Sequence, residues 1–270
     1  MDILTAIVLG VIQGMMEFLP VSANGHLILA QEIINLEYAN QLAVSGILHL
    51  ATALAIILYF WNDIWVLIQT LMRKMGRLPV NEKDLIFLNA ILIGTIPGVI
   101  IGFLFEPIFE KYFSNALTVA IVLLISAFFF IYAEWRYFMR PPHAEVTVNR
   151  GWKIGLFQVL ALIPGFSRTG ATITGGMLVG LTRYESTRFS FLLAIPLIFG
   201  FGLKKLLDLI TVEGEVGWLA IMIGGIISFF VALLTIHLFL GFIRRYTLWP
   251  FIWYSLILSS LTIYYLVFVV

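Results

Sequence analysis

Residues 17–26 read EFLPVSANGH, so Glu17, Pro20, Ser22, Asn24, Gly25 and His26 fall within ten positions of one another in a chain that is otherwise oily. The flanks of this stretch are apolar on both sides. Proline and glycine interrupt helices, and non-helical backbone at membrane depth is tolerated only where it is buried in protein or lines a wet cavity. The stretch is therefore expected to be the break in a re-entrant hairpin: two short half-helices that enter the bilayer and leave on the side of entry.

Composition supports that setting. Of 270 residues, 61% are hydrophobic and 11% charged, against about 25% charged in soluble domains. Apolar runs at 45–61, 85–105, 116–138, 187–207, 216–243 and 248–270 each approach the ~20 residues that cross a bilayer core. They are continuous rather than alternating, which argues for helices and against a transmembrane β-barrel. The fold class expected is an all-α polytopic membrane protein with six transmembrane helices and two re-entrant hairpins. The first 20 residues lack a basic leader and are interrupted by Gln13 and Glu17, so they are expected to stay rather than act as a cleaved signal. The sequence has no cysteine and hence no disulfide or thiol chemistry, and its net charge of +1 offers nucleic acid no partner.

A displacement of 145 residues brings Gly10 onto Gly155, Gln13 onto Gln158, Ser22 onto Ser167 and Gly25 onto Gly170, with Pro20 and Pro164 one position out of register. Each matching segment precedes three apolar runs. The chain is expected to be one membrane domain, 1–270, of two repeats. Repeat 1, 1–140, would hold a hairpin at 5–35 and spans 45–61, 85–105 and 116–138. Repeat 2, 150–270, would hold a hairpin at 152–182 and spans 187–207, 216–243 and 248–270. Three spans between the hairpins invert the second copy, so the tips approach from opposite faces. The basic residues agree. Twelve of sixteen Lys and Arg, among them Arg73, Lys74, Arg77, Arg150, Lys153 and Arg244, fall on the side of the loops 62–84, 139–152 and 244–247. Three, Lys111, Lys204 and Lys205, fall on the side of 105–115 and 208–215, and Arg168 belongs to a tip. The basic side is cytoplasmic by the positive-inside rule, which puts both termini and the site opening on the outer side of the cytoplasmic membrane.

At the first tip, Gln13 and Glu17 share a helix face beside Ser22, Asn24, Gly25 and His26. At the second, PGFSRTGAT (164–172) supplies Ser167, Arg168, Thr169 and Thr172 among small residues. An Arg at bilayer depth is costly and points to a role. Hydroxyls, backbone amides at a helix start and a guanidinium fork together suit phosphate. Opposite them, Glu17 and Gln13 can hold Mg²⁺ or Ca²⁺ by oxygen, and His26 can act as nucleophile or as general acid or base. These residues predict a phosphate or diphosphate site for a substrate that lives in the membrane. His49, Glu134 and His237 are expected to serve in structural pairing.

The stretches QGMMEFLPVSANGH (13–26) and PGFSRTGAT (164–172) resemble the motifs of the undecaprenyl-diphosphate phosphatases, also called bacitracin-resistance proteins, and the resemblance runs over essentially the whole chain. It implies removal of the terminal phosphate from a polyprenyl diphosphate, recycling the lipid carrier for cell-wall synthesis, with a homodimer as one assembly. It places Gln13 and Glu17 at the metal and diphosphate positions, His26 at the motif histidine, and Ser167, Arg168 and Thr172 at the phosphate positions. Ala23, Asn24 and Thr169 stand where that family usually has Ser, Thr and Ser. The alternative reading is a polyprenyl-phosphate transporter or flippase, because inverted repeats with broken helices are also a transporter architecture.

Overall fold

The structure, a computed structural model, describes residues 2–33, 41–113, 115–139, 142, 145–209 and 217–269. Every regular element among them is helical. In chain order these are α1 (Ile3–Met16), α2 (Ala23–Ile33), α3 (Gln41–Tyr59), α4 (Trp61–Met75), α5 (Glu82–Phe113), α6 (Ala116–Met139), α7 (Val148–Gln158), a 3-10 turn Val159–Leu162, α8 (Arg168–Leu178), α9 (Arg183–Leu209), α10 (Trp218–Ile243) and α11 (Trp249–Phe268). Helices α5, α6, α9, α10 and α11 are long and apolar enough to cross a membrane. The pair α3 and α4, bent by 81° at Phe60, makes a sixth span if counted as one. The chain is a multi-pass membrane protein.

Helix α1 has 14 residues, and α2, α7 and α8 have 11 each, too short to cross a core of about 30 Å at 1.5 Å per residue. They flank the two breaks foreseen in the sequence, although positions 34–35 of the first predicted segment lie outside the described residues, as do the ends 216 and 270 of the last two predicted spans. Proline disfavours helical backbone in the residue before it, and Ile163, ahead of Pro164, is extended with ψ 115. Each break also contains one residue with left-handed backbone, Ser22 at φ 70 and Gly165 at φ 97. Serines then restart both helices: Ser22 Oγ accepts from the Gly25 N–H at 3.2 Å, and Ser167 Oγ from the Gly170 N–H at 3.1 Å. At the chain start Asp2 caps α1 through the Thr5 N–H, which holds its carboxyl below the usual range.

Two predicted loops are corrected. The segment 62–84 contains α4, whose exposed Trp61, Trp65, Met72 and Met75 recur at helical spacing. A helix that is apolar on one face lacks the uniform hydropathy of a span, and an ion pair from Asp63 to Arg188 fastens this one to α9. The segment 105–115 is largely helical, because α5 continues to Phe113.

Packing crosses between the halves of the chain. Helix α1 lies on α10 and α7 lies on α5, while α3 pairs with α9 and α6 with α11. Glycine makes the first two contacts possible: a Cβ on Gly10 would stand 2.4 Å from Gly224 O, and one on Gly155 would stand 2.1 Å from Gly94 O. Close backbone approach over small residues is how helices associate where lipid removes the hydrophobic drive. The first break contributes to the core as well, since the buried Phe18 ring meets Phe191 edge-on at 5.4 Å. Glu134 does pair structurally, receiving two bonds from Arg183 at 3.0 and 2.5 Å and one from the Leu248 N–H at 2.8 Å. It thereby ties α6, α9 and the start of α11.

Because Gly155 meets backbone that cannot yield, Gly155→Ala is expected to cost about 1–3 kcal/mol by overpacking. Gly241→Ala, with nothing within 4 Å of the added atom, should be tolerated. Thermal unfolding of the two variants in detergent checks this, and equal midpoints would remove the close contact as a constraint.

Candidate active site

The two breaks are joined across about 150 positions of sequence. Thr169 Oγ1 donates to Glu17 O at 2.8 Å, Ser167 Oγ donates to Leu19 O at 3.4 Å, and Arg168 Nη2 donates to Glu17 Oε1 at 3.1 Å. Gly25 lies against Gly165, whose Cα would be 3.3 Å from a Cβ added at position 25. The Glu17 carbonyl at the end of α1 is thus taken up by the Thr169 hydroxyl, and the Leu19 carbonyl, already bonded to the Val21 N–H at 2.8 Å, takes a second bond from Ser167, in keeping with the need of buried backbone for partners.

Glu17 is the hub. One carboxylate oxygen accepts from Arg168, and the other accepts from Gln13 Nε2 at 3.0 Å. The i, i+4 spacing that put Gln13 and Glu17 on one face yields that bond directly. The ion pair is nearly dry, with side-chain exposures of 11% for Arg168 and 9% for Glu17. Even so, Arg168 Nε and Nη1 and Gln13 Oε1 are buried with no hydrogen-bond partner. Orphaned donors of this kind are rare in folded proteins and call for an explanation. A bound anion on Arg168 would supply one.

The pair opens onto a cavity of about 460 Å³. Glu17, Ser22, Ala23, Asn24, Ser167 and Arg168 form its polar end, and α5 and α9 wall it with Val99, Phe103, Phe109, Leu197, Ile198 and Phe201. Ala23 lines the cavity without a hydroxyl.

The structure does not bring all the predicted residues to this cavity. Thr169 serves the Glu17 carbonyl, and Gly25 serves packing between the breaks. Thr172 turns toward α9, 2.5 Å from Ser190 Oγ, with a further bond to Arg168 O at 2.8 Å. His26 is not among the lining residues. Its Nδ1 lies 2.8 Å from Ser22 O, and its Nε2 lies 2.7 Å from the hydroxyl of Tyr254, on which the ring stacks. A carbonyl only accepts, so Nδ1 carries the proton and Nε2 receives Tyr254 O–H. Both nitrogens are then committed, and His26 clasps α2 to α11.

The imidazole that does face the cavity is His49 of α3, which the sequence reading assigned to structural pairing. It is 5% exposed, lines the cavity, and places Nε2 4.0 Å from Glu17 Oε2. Its Nδ1 donates to Ser45 O at 2.8 Å, which holds the ring with Nε2 directed toward Glu17. The available signal was a histidine with a serine four residues earlier on the buried face of an apolar helix; nothing in its spacing tied it to position 17.

The described residues include no group of three or more His, Cys, Asp or Glu able to hold a metal ion. Glu17 lines the cavity, whereas Gln13, whose Oε1 is buried without a partner, is not among the lining residues.

The family model described as "Bacitracin resistance protein BacA" matches residues 6–261. The chain belongs to that family. It is 37% identical to a protein of Alteromonas mediterranea named undecaprenyl-diphosphatase, over 98% of this chain and 99% of the relative. Proteins of the same name from Chromohalobacter salexigens and Methanosphaera stadtmanae are 37% and 35% identical, over 96% and 97% of this chain and 97% and 98% of their own lengths. The resemblance first carried by residues 13–26 and 164–172 therefore extends through the intervening helices.

Removing one member of a buried ion pair leaves the other charge uncompensated, at a cost of about 3–5 kcal/mol. Glu17→Gln and Arg168→Gln are each expected to destabilise strongly, and the double variant to lose less than their sum, with a coupling of about 0.5–3 kcal/mol. A double-mutant cycle in detergent measures this; strict additivity would mean that the pair does not hold the breaks together.

Proposed function

We propose that this protein hydrolyses undecaprenyl diphosphate to the monophosphate and inorganic phosphate, and that this recycling of a cell-wall lipid carrier underlies bacitracin resistance. The observation that carries the proposal is the pair of unpartnered donors on buried Arg168, in a cavity whose α5 and α9 walls are apolar apart from Lys204. A diphosphate with a hydrocarbon tail has the same polarity profile.

In this mechanism Arg168 Nε and Nη1 bind phosphate oxygens, helped by the positive end of α8. Glu17 orients the guanidinium, Ser22, Asn24 and Ser167 border the head group, and the prenyl chain lies past Phe103 and Phe201. Water attacks the terminal phosphorus; a new P–O bond forms and the bond from that phosphorus to the bridging oxygen breaks, releasing the prenyl monophosphate. His49 Nε2 is placed to take the proton of the attacking water, and the hydroxyl-free Ala23 gives that position no part in a covalent step. A divalent ion held by Glu17 and Gln13 would neutralise charge on the phosphate oxygens.

The topology proposed is six spans with two re-entrant hairpins, α1–α2 and α7–α8, in two inverted repeats of a single domain. Ser22 and Ser167 start α2 and α8 through the glycine three residues on in each case, which supports the repeat. The distribution of Lys and Arg supports an inner-membrane location, with termini and cavity facing outward.

Phosphate release from a polyprenyl diphosphate by purified protein in detergent tests the activity. Arg168→Ala is expected to lower kcat by about 10²–10³-fold, as loss of a charge-stabilising donor does. His49→Ala should lose about 10²-fold or more, within the range of proton-transfer catalysis, and more than His26→Ala. A larger loss in His26→Ala than in His49→Ala would return the role to His26. EDTA should abolish release and added Mg²⁺ or Ca²⁺ restore it; undiminished release in EDTA removes the ion from the scheme. No release by the unmodified protein would leave polyprenyl-phosphate transport as the activity.

A further inference from the structure

A second cavity, of about 930 Å³, shares no lining residue with the first. It lies along α7 and the end of α8, lined by Thr147, Asn149, Arg150 and Lys153 at one end, Leu156, Phe157 and Leu160 at the other, and Leu178 and Val179 across from them. Its polarity changes along the helix axis rather than around it. Gly151 and Gly155 seat the opposite face of α7 against Ala90 and Gly94 of α5, so the residues of the groove face outward from that contact.

The basic end is built. Arg150 Nε donates to Val179 O at 3.2 Å and its Nη1 donates to Glu145 O at 2.9 Å, which fixes the guanidinium between the two arms of the hairpin. Thr147 caps α7 through the Arg150 N–H at 3.3 Å. Lys153, one turn further along, is exposed and makes no hydrogen bond or ion pair among the described residues. The carboxylate of Glu145, the nearby acid in sequence, lies 4.0 Å from Lys83 of α5. From Lys153 to Leu160 the helix covers about 10 Å, and beyond the cations the wall is hydrocarbon. Two cations over an apolar trough, where a helix enters the membrane, match an anionic head group followed by a chain.

We propose that this groove is a second binding site, separate from the Glu17–Arg168 cavity, for a lipid with an anionic phosphate head group. The phosphate sits between Arg150 and Lys153, and the chain runs along Leu156, Phe157 and Leu160 toward the interior. Both a bulk anionic phospholipid and a prenyl monophosphate have this chemistry.

Native mass spectrometry of the detergent-purified protein, titrated separately with phosphatidylglycerol, phosphatidylcholine, a polyprenyl monophosphate and inorganic phosphate, tests the site. Lys153→Glu is the variant of choice, because the lysine makes no bond that folding would miss; an unchanged melting point verifies that. The expected result is a loss of roughly tenfold in apparent affinity for an anionic lipid in Lys153→Glu, with phosphatidylcholine unchanged. The lipid that suffers the loss identifies the source, phospholipid or prenyl phosphate, and Arg150→Gln should show the same preference. Identical binding of both anionic lipids to the variant and the unmodified protein would overturn the site. So would inorganic phosphate binding as tightly as the lipids, since the apolar trough would then have no part.

Discussion

The bond network from Glu17 to Arg168 and Thr169 is what the rest of this molecule is arranged around. Two interrupted helices in an apolar layer leave carbonyls and amides without partners, and a lipid solvent provides none. Each break satisfies the other: Thr169 and Ser167 cover the carbonyls of Glu17 and Leu19, while the carboxylate of Glu17 compensates the one arginine at the tips. Neither break is tenable alone. The same arrangement leaves two donors of Arg168 unused, so structural necessity and ligand affinity reside in a single side chain.

Around this joint the helices interlock rather than stand side by side. Glycines on α1 and α7 admit the backbones of α10 and α5, and α5 and α9 wall the cavity. The site is held by elements drawn from both halves of the sequence, which suits chemistry that needs sub-ångström positioning. The carboxylate comes from one break, the guanidinium from the other, and the imidazole from a full-length helix between them.

Much of this was legible in sequence. The polar, proline-bearing stretches announced the breaks, since no lipid-facing helix would carry Glu17 or Arg168, and the 145-residue displacement paired Ser22 with Ser167 before their common capping role was visible. The misses have physical causes. Hydropathy registers only the average of a segment, so α4, apolar on one side alone, looked like a loop. His26 occupied the motif position, but whether an imidazole faces a cavity or a tyrosine 228 residues away depends on helix rotation, which local spacing does not encode. His49 presented the converse case: a histidine amid apolar neighbours, drawn to Glu17 only by the packing of α3 on α1 and α9.

The contact between α1 and α10 also bears on how the chain is made. A ribosome adds roughly 5–20 residues per second, so on the order of 10–40 s separates the emergence of Gly10 from that of Gly224. Helix α7, by contrast, finds α5 already synthesised. Until Arg168 and then Gly224 emerge, α1 and α2, with Gln13 and Glu17 on the first of them and at its end, lack first the arginine and then the glycine seat, and the insertion machinery or the membrane surface must shelter them. The order of synthesis thus makes the first segment to be made wait for most of the chain before it can reach its place.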